Sequence, residues 1–302
     1  MRGFFVSIMA LSCMICCAAQ DRFYYTGPQL KLSRSQYGCV SVGTFDDASQ
    51  ADRSALAACG DYVFSLQREG MVTAYKFDGV SLMKASAFKL GSYGTDNGAN
   101  AACFGTQYYA KNDKFPLLFA SQSNVDAPQG TNGLIYVERI DNSAKSSKLV
   151  AKIQFKDAAK LFNGPLNWTV DAESKYLYGV GTIDAHRHRV MKFRVPTISV
   201  KAKTPPTINL AERDMLEAYV IEDYAPSVNI GGDFGLMVKY GRMYITAGDM
   251  SSLLYVWNLS KRKLQNSIDL ETSAGGGLVD CAEYMGELLV QNQTGVYKLR
   301  FE

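Results

Sequence analysis

The sequence predicts an all-β protein built from five repeats of a four-stranded unit. From about residue 50 onwards, short segments alternate apolar and polar residues between turns rich in Gly, Asn, Asp and Ser, a pattern typical of strands and hairpins. Helical periodicity is confined to two short stretches, 157–162 and 211–218. With 47% hydrophobic and 20% charged residues, the composition allows a packed core and excludes a disordered chain.

Each repeat reads as a small-residue inner strand, an aromatic-rich strand, an apolar strand and a more polar outer strand. The inner strands of the five repeats are expected at 54–59, 101–109, 166–171, 235–239 and 278–284. In the third repeat the outer strand is expected at 207–210, after an irregular stretch with prolines. Repeats of this kind predict blades arranged around an axis.

The fifth repeat ends after three strands, at the end of the chain. Residues 29–33 alternate as an outer strand would, and a strand from the N-terminus can complete the last sheet and close the ring. The sequence therefore predicts a five-bladed β-propeller closed by an N-terminal strand. A sixth blade would require further strands within 39–54 or 214–221, and a pair of β-sandwiches is the competing architecture.

The N-terminus has the pattern of a secretory signal peptide. Arg2 precedes an apolar run over 4–17 and small residues up to Ala19, and this run is shorter than the ~20 residues that span a bilayer. We expect cleavage after residue 19 and a single mature domain, 20–302, exported to the periplasm or cell surface. A lipid anchor on Cys13, Cys16 or Cys17 is the alternative, although the residues before them fit a lipobox poorly. The mature chain has no second long apolar stretch, so no transmembrane segment is expected in it.

Several segments resemble known propellers. The strands Arg242-Met-Tyr-Ile-Thr and Leu253-Leu-Tyr-Val-Trp are similar to those of the broad WD/YVTN propeller superfamily. Together with the export signal, Asn100-Ala-Ala-Cys-Phe-Gly and Phe115-Pro-Leu-Leu-Phe-Ala-Ser-Gln resemble exported propellers of gut-dwelling Gram-negative bacteria with unassigned function. No Trp-Asp dipeptide recurs, since Trp257 is followed by Asn. The resemblance implies the fold and leaves the function open.

A ring of polar residues is expected at the mouth of the propeller channel, in the loops before the inner strands. Its ligand-binding candidates are Asn97, Asn100, Asn167, Asp233 and Asp280. Amide and carboxylate oxygens there could bind sugar hydroxyls or Ca²⁺, whereas the alternative is ordinary turn chemistry.

Both histidines of the protein, His186 and His188, lie in one loop beside two arginines. They are the remaining binding candidates, for an anion or a transition metal, with a solvated basic loop as the alternative. No third ligand lies nearby in the sequence.

The four cysteines of the mature chain allow three pairings into two disulfides, or they are buried thiols. They are Cys39, Cys59, Cys103 and Cys281, and their spacing matches no zinc pattern.

Catalysis has little support in the sequence. Asp171, Asp233, Asp280 and Glu283 are the acids expected near inner strands, but no spacing selects a pair for glycoside hydrolysis. The net charge of +3 is spread along the chain, which gives no nucleic-acid-binding patch. We therefore expect a monomeric, non-catalytic protein that binds a glycan or peptide at the channel mouth, without a cofactor unless it is Ca²⁺. The alternatives are a glycoside hydrolase or lyase, and a scaffold that docks a protein partner.

Overall fold

The computed structural model describes residues 37–45, 52–123, 133–173, 175–184, 187–199, 202–222, 230, 234–247 and 252–301. In these ranges the chain forms five sheets. We number these sheets as blades 1 to 5 in the chain order of their inner strands.

The strand β1 (Tyr37–Thr44) comes first in the chain but belongs to the last blade. Blade 1 contains β2 (Arg53–Cys59), β3 (Tyr62–Gln67), β4 (Met71–Phe77) and β5 (Leu82–Lys89). Blade 2 contains β6 (Ala102–Phe104), β7 (Leu118–Ser121), β8 (Leu134–Ile140) and β9 (Ser147–Phe155). Blade 3 contains β10 (Leu166–Asp171), β11 (Tyr176–Asp184), β12 (Arg187–Arg194) and β14 (Glu217–Glu222), with β13 (Thr207–Leu210) lying between the last two in the chain.

Blade 4 contains β15 (Leu236–Lys239), β16 (Arg242–Thr246), β17 (Leu253–Asn258) and β18 (Lys263–Asp269). Blade 5 contains β19 (Leu278–Tyr284), β20 (Glu287–Asn292) and β21 (Gly295–Phe301), and β1 is its fourth strand. One short helix, α1 (Ala158–Leu161), lies between β9 and β10. Single 3-10 turns cover Arg68–Gly70 and Glu212–Asp214.

The inner strands form a closed ring. Contacts run from β2 to β6, β10, β15 and β19, and β19 contacts β2 again. The strands of each blade are joined by antiparallel hairpin pairing, and each gap between neighbouring blades is filled by its own apolar cluster. This cyclic arrangement is a five-bladed β-propeller, as the sequence predicts, and the sixth blade is not present among the described residues.

The closing strand is not at the predicted position. Residues 29–33 lie outside the described residues, and β1 at Tyr37–Thr44 pairs antiparallel with β21. A bulge between Ser41 and Gly43 shifts the register of β1, so the buried Val42 and Phe45 do not follow strict alternation. The alternation of apolar and polar residues therefore does not indicate a strand at Tyr37–Thr44.

The outer strand of blade 3 also differs from the prediction. Residues 207–210 do form a strand, β13, but it pairs in parallel with β9 of blade 2. The fourth strand of blade 3 is β14 instead, which pairs with β12. In this position Leu210 is buried in the apolar cluster between blades 2 and 3. The strand β13 also covers the outer edge of β9, which would otherwise be unpaired.

Candidate functional site

The inner strands begin at one face of the ring, the upper face, and end at the lower face. Four of the predicted binding residues are described near the upper ends of inner strands, and they are at most 6% exposed: Asn97, Asn100, Asn167 and Asp280. These four side chains are therefore buried rather than open to solvent, and their role in ligand binding stays a prediction. Asp233 and His186 lie outside the described residues.

Asp280 connects the inner strands of several blades. Its Oδ2 accepts a hydrogen bond from the Leu56 backbone of blade 1 at 2.9 Å, and its Oδ1 accepts from Leu236 of blade 4 at 3.0 Å and from Cys281 at 2.9 Å. Burial raises the pKa of this carboxyl well above its ordinary value, against the lowering effect of these backbone bonds. A Cβ on Gly235 would lie 2.3 Å from its Oδ1, so only glycine fits there. Asp280 is thus a structural group at the hub.

The three asparagines also have structural contacts. The Asn97 amide donates to the Ser92 carbonyl at 3.3 Å and accepts from the Ala99 backbone at 3.0 Å. The Asn167 amide donates to the Phe234 carbonyl of blade 4, and the Asn100 backbone donates to Ser121 at 3.2 Å. These bonds hold the loops and blades together at the upper face.

His188 points into the core between blades 3 and 4 and is 1% exposed. Its Nδ1 lies 3.3 Å from the Thr182 hydroxyl, and its ring packs edge-on against Phe234 with 5.8 Å between ring centroids. The neighbouring Arg187 forms a 2.6 Å ion pair with Asp184. The strand alternation of β12 places His188 inward, so the alternative of a solvated basic loop does not apply to this residue, and its binding role stays a prediction.

The four cysteines Cys39, Cys59, Cys103 and Cys281 are free thiols. Cys103 accepts a hydrogen bond from the Val170 backbone at 3.1 Å, and Cys39 lies 3.2 Å from the Ser273 hydroxyl. Burial raises the pKa of Cys59 and of Cys103 to about 11. Of the two alternatives left open by the sequence, the structure has free thiols, of which Cys281 is buried and the other three are partly buried.

A cleft of about 710 Å³ lies between blades 3 and 4. We call it the interblade cleft. It opens toward the lower face, below the apolar cluster in which Val180, Val190 and Ile221 of blade 3 meet Leu236 and Met243 of blade 4. The same pair of blades is thus packed at one end and open at the other.

The blade 3 wall of the cleft is one face of its sheet. Tyr178 lies opposite Lys192, and Lys192 lies opposite Glu217, so the three side chains form a row across three strands. Tyr176 precedes Tyr178 by two residues and Tyr219 follows Glu217 by two, so both lie on the same face of the sheet as this row. This wall therefore combines aromatic and charged groups.

The blade 4 wall is made by two turns. Tyr240 and Gly241, with φ of 49° and 69°, form the tight turn between β15 and β16, and both angles are those of a hairpin turn that favours glycine. Leu259, Ser260 and Arg262 come from the turn between β17 and β18. Neither turn is long enough to fill the space in front of the blade 3 wall.

Cations and carboxylates of the cleft are arranged around its tyrosines. Lys192 Nζ lies 4.0 Å from the ring centroid of Tyr176, and Arg262 lies 5.4 Å from that of Tyr219 while pairing with Glu217 at 2.7 Å. The remaining lining carboxylates are Asp171 and Glu173.

Burial raises the pKa of three tyrosines of the cleft. Desolvation raises the pKa of Tyr219 to about 12, and it raises the pKa of Tyr178 still further. Desolvation also raises the pKa of Tyr240. The hydroxyl of Tyr219 is buried without a hydrogen-bond partner. These phenols can both donate and accept hydrogen bonds at physiological pH.

A smaller cavity of about 90 Å³ lies at the lower end of the channel, where the inner strands end. Its lining includes Cys103, Thr169, Lys239, Cys281 and Glu283. Lys239 bridges the two cavities, because its Nζ lies 3.3 Å from Glu173 of the cleft and 3.5 Å from Glu283 of the channel. The lower channel is thus largely filled.

In the described part of the chain, no group of three or more His, Cys, Asp and Glu side chains could hold a metal ion. Ca²⁺ binding therefore stays a prediction. Among the same residues, none forms a helix that is both long and apolar enough to cross a membrane.

The sequence analysis missed the interblade cleft. Its tyrosines alternate with apolar residues at strand spacing, a pattern typical of packing between blades. The available signal was the two-residue turn at Tyr240 and Gly241, which is too short to cover aromatic and charged residues on the neighbouring blade.

No protein-family model matches the sequence, and no curated protein matches it. Among solved structures, the glutaminyl cyclase of Myxococcus xanthus aligns with a TM-score of 0.51 at 10% sequence identity, covering 88% of this chain and 97% of that chain. At this identity the likeness concerns the fold, and it agrees with the propeller described above.

Proposed function

We propose that this protein is an exported propeller that binds a glycan or peptide without covalent chemistry, and that the interblade cleft is its binding site. Export is proposed from the signal-like residues 1–19. The proposal keeps the ligand class expected from the sequence and moves the site from the channel mouth to the gap between blades 3 and 4.

The observation that carries the proposal is the cleft of about 710 Å³ lined by four tyrosines, Tyr176, Tyr178, Tyr219 and Tyr240. Ligand sites commonly occupy 300–1,000 Å³ and combine aromatic surface with a few polar groups. Most tyrosines of a propeller fill the space between blades, whereas these four border open space.

Support for a non-catalytic role comes from the carboxylates. Glu217 is paired with Arg262 at 2.7 Å, Glu173 and Glu283 are both paired with Lys239, and both oxygens of Asp280 accept backbone hydrogen bonds. A hydrolase that uses two carboxyl groups needs one held protonated beside the scissile bond and the other ionised opposite it. In the cleft, Glu173 and Glu217 are instead each held in an ion pair, with Lys239 and Arg262.

The test is thermal stabilisation and calorimetric titration of the purified protein against glycans and peptides. A ligand that binds only the native state raises the melting temperature. We expect stabilisation that is lost in a Tyr176→Ala, Tyr219→Ala double variant. The matched control is Tyr93→Ala, because Tyr93 is also a surface tyrosine with a lysine over its ring, at 3.7 Å, but lies outside the cleft.

Other outcomes separate the alternatives. Binding that survives the double variant but is abolished by Asp233→Ala would return the site to the channel mouth. Products released from a bound glycan would identify a hydrolase or lyase. A protein that binds neither glycan nor peptide but forms a stable complex with a protein partner would be a scaffold.

A further inference from the structure

The charged and aromatic residues that line the interblade cleft favour one of the ligand classes proposed above. We infer that its ligand is a neutral oligosaccharide rather than a peptide or an acidic polymer, an inference that rests on the proposed binding function of the cleft.

The charges of the cleft are nearly balanced. Asp171, Glu173 and Glu217 face Lys192 and Arg262, and Lys239 adds a third cation beside Glu173. A charged ligand would meet groups of both signs and gain little net attraction. The hydroxyl groups of a neutral sugar, by contrast, both donate to carboxylates and accept from ammonium and guanidinium groups.

The aromatic groups of the cleft fit the amphipathic character of a sugar ring. Tyr176 is partly exposed and Tyr178 forms the floor next to it, so apolar ring surface lies beside hydrogen-bonding groups. A ligand with C–H faces and hydroxyl edges can use both kinds of group at once.

A peptide is less suited to this site. Extended peptides commonly bind by adding a strand to a free sheet edge, where main-chain hydrogen bonds supply much of the affinity. Here the blade 3 wall is the face of a sheet whose strands β11 and β12 are each paired on both sides, and the outer strand β14 has an edge without a described partner. The wall therefore presents side chains, as sugar recognition requires.

The experiment compares three sets of probes at equal chain length by calorimetric titration. They are neutral hexose tetrasaccharides, uronic-acid tetrasaccharides and uncharged tetrapeptides. We expect a neutral tetrasaccharide to bind in a manner insensitive to salt, and Tyr176→Ala to weaken it by about tenfold or more. Tyr176→Phe keeps the ring and should weaken it less, while Tyr93→Ala should leave it unchanged. Melting curves of each variant confirm that it folds.

Each outcome decides a separate point. Tighter, salt-sensitive binding of the uronic-acid probes, or preferential binding of the peptides, with either abolished by Tyr176→Ala, would overturn the inference and leave the proposed function standing. Binding of no probe, or binding unaffected by Tyr176→Ala and by Tyr219→Ala, would overturn both.

Discussion

At the lower face, the gap between blades 1 and 2 is filled, whereas the gap between blades 3 and 4 is open. The second strands of blades 1 and 3 nevertheless place aromatic residues at the same positions. Tyr62 of blade 1 pairs with Cys59, the last residue of its inner strand, and Tyr176 of blade 3 pairs with Asp171 in the same way. Phe64 follows Tyr62 by two residues, and Tyr178 follows Tyr176 by two residues. The first pair of rings is packed, and the second borders the cleft.

The difference arises from the neighbouring blade. In blade 2 the connection between its first two strands covers 105–117 and carries Phe115, which is 1% exposed. Its ring meets those of Tyr62 and Phe64 edge-on at 5.4 and 5.3 Å. In blade 4 the same connection is only Tyr240 and Gly241. The long loop of blade 2 thus fills the gap between blades 1 and 2, whereas the short turn of blade 4 leaves the gap between blades 3 and 4 open to a ligand.

The largest expected effect comes from opening the closed gap. Phe115→Ala should destabilise the fold by about 3–5 kcal/mol, because it removes a fully buried ring and leaves a cavity. The measurement is the free energy of unfolding in denaturant.

The control for that variant lies on the open side. Leu259→Ala in the cleft wall, where the side chain is partly buried, should cost only about 1 kcal/mol. Equal losses for the two variants would mean that the cleft wall is as tightly packed as the closed gap, and the comparison would fail.

The two gaps also use carboxylates differently, which gives a test by pH. Glu138, 0% exposed, accepts hydrogen bonds from the backbones of Gly91 and Ser92 at 3.1 and 2.8 Å, whereas Glu217 is paired with an exposed arginine. Burial raises the pKa of Glu138 above 4.5. A raised carboxyl pKa means that the folded state holds its proton more tightly than the unfolded state.

The stability contributed by Glu138 is therefore fully present below the unfolded pKa and is lost as the pH rises through the folded pKa. We expect the melting temperature of the native protein, relative to that of Glu138→Gln, to fall between pH 4 and pH 8. The check is a series of melting curves for both proteins across this range. A difference that grows with pH would contradict the assignment.

The smallest effect is expected from the ion pair in the cleft. Glu217 and Arg262 lie 2.7 Å apart with side chains 31% and 54% exposed, and exposed pairs contribute about 0.2–1 kcal/mol. A double-mutant cycle with Glu217→Gln and Arg262→Gln should give a coupling energy in that range, and added salt should reduce it. A salt-independent coupling above about 2 kcal/mol would instead indicate a desolvated pair and a closed cleft.

Much of the fold could be predicted from the sequence because strand alternation is a local property. The inner strands β10 and β19 lie at the expected residues, since each is bounded by clear turns. The closing strand could not be placed, because a bulge breaks the alternation of β1. The strand β13 lies at the expected residues, but its pairing with β9 could not be predicted, because it depends on the edge of another blade.

The candidate site could not be predicted for a different reason. Asn167, His188 and Asp280 have the residue types of a binding site, but their burial depends on how neighbouring blades pack. The cleft, in turn, depends on the missing volume between two blades. Neither the burial of these residues nor the unfilled volume between two blades can be predicted from a single segment of the sequence.

The crossing strand β13 has a consequence for how the molecule opens. It leaves blade 3 after β12, pairs in parallel with β9 of blade 2 and returns to form β14, and its Leu210 lies in the core that the two blades share. Neither blade can separate from the ring without breaking this pairing, so blades 2 and 3 form one cooperative unit of local unfolding. Among the described residues no strand crosses in this way between blades 3 and 4, so blade 3 is tied more firmly to blade 2 than to the blade across the interblade cleft.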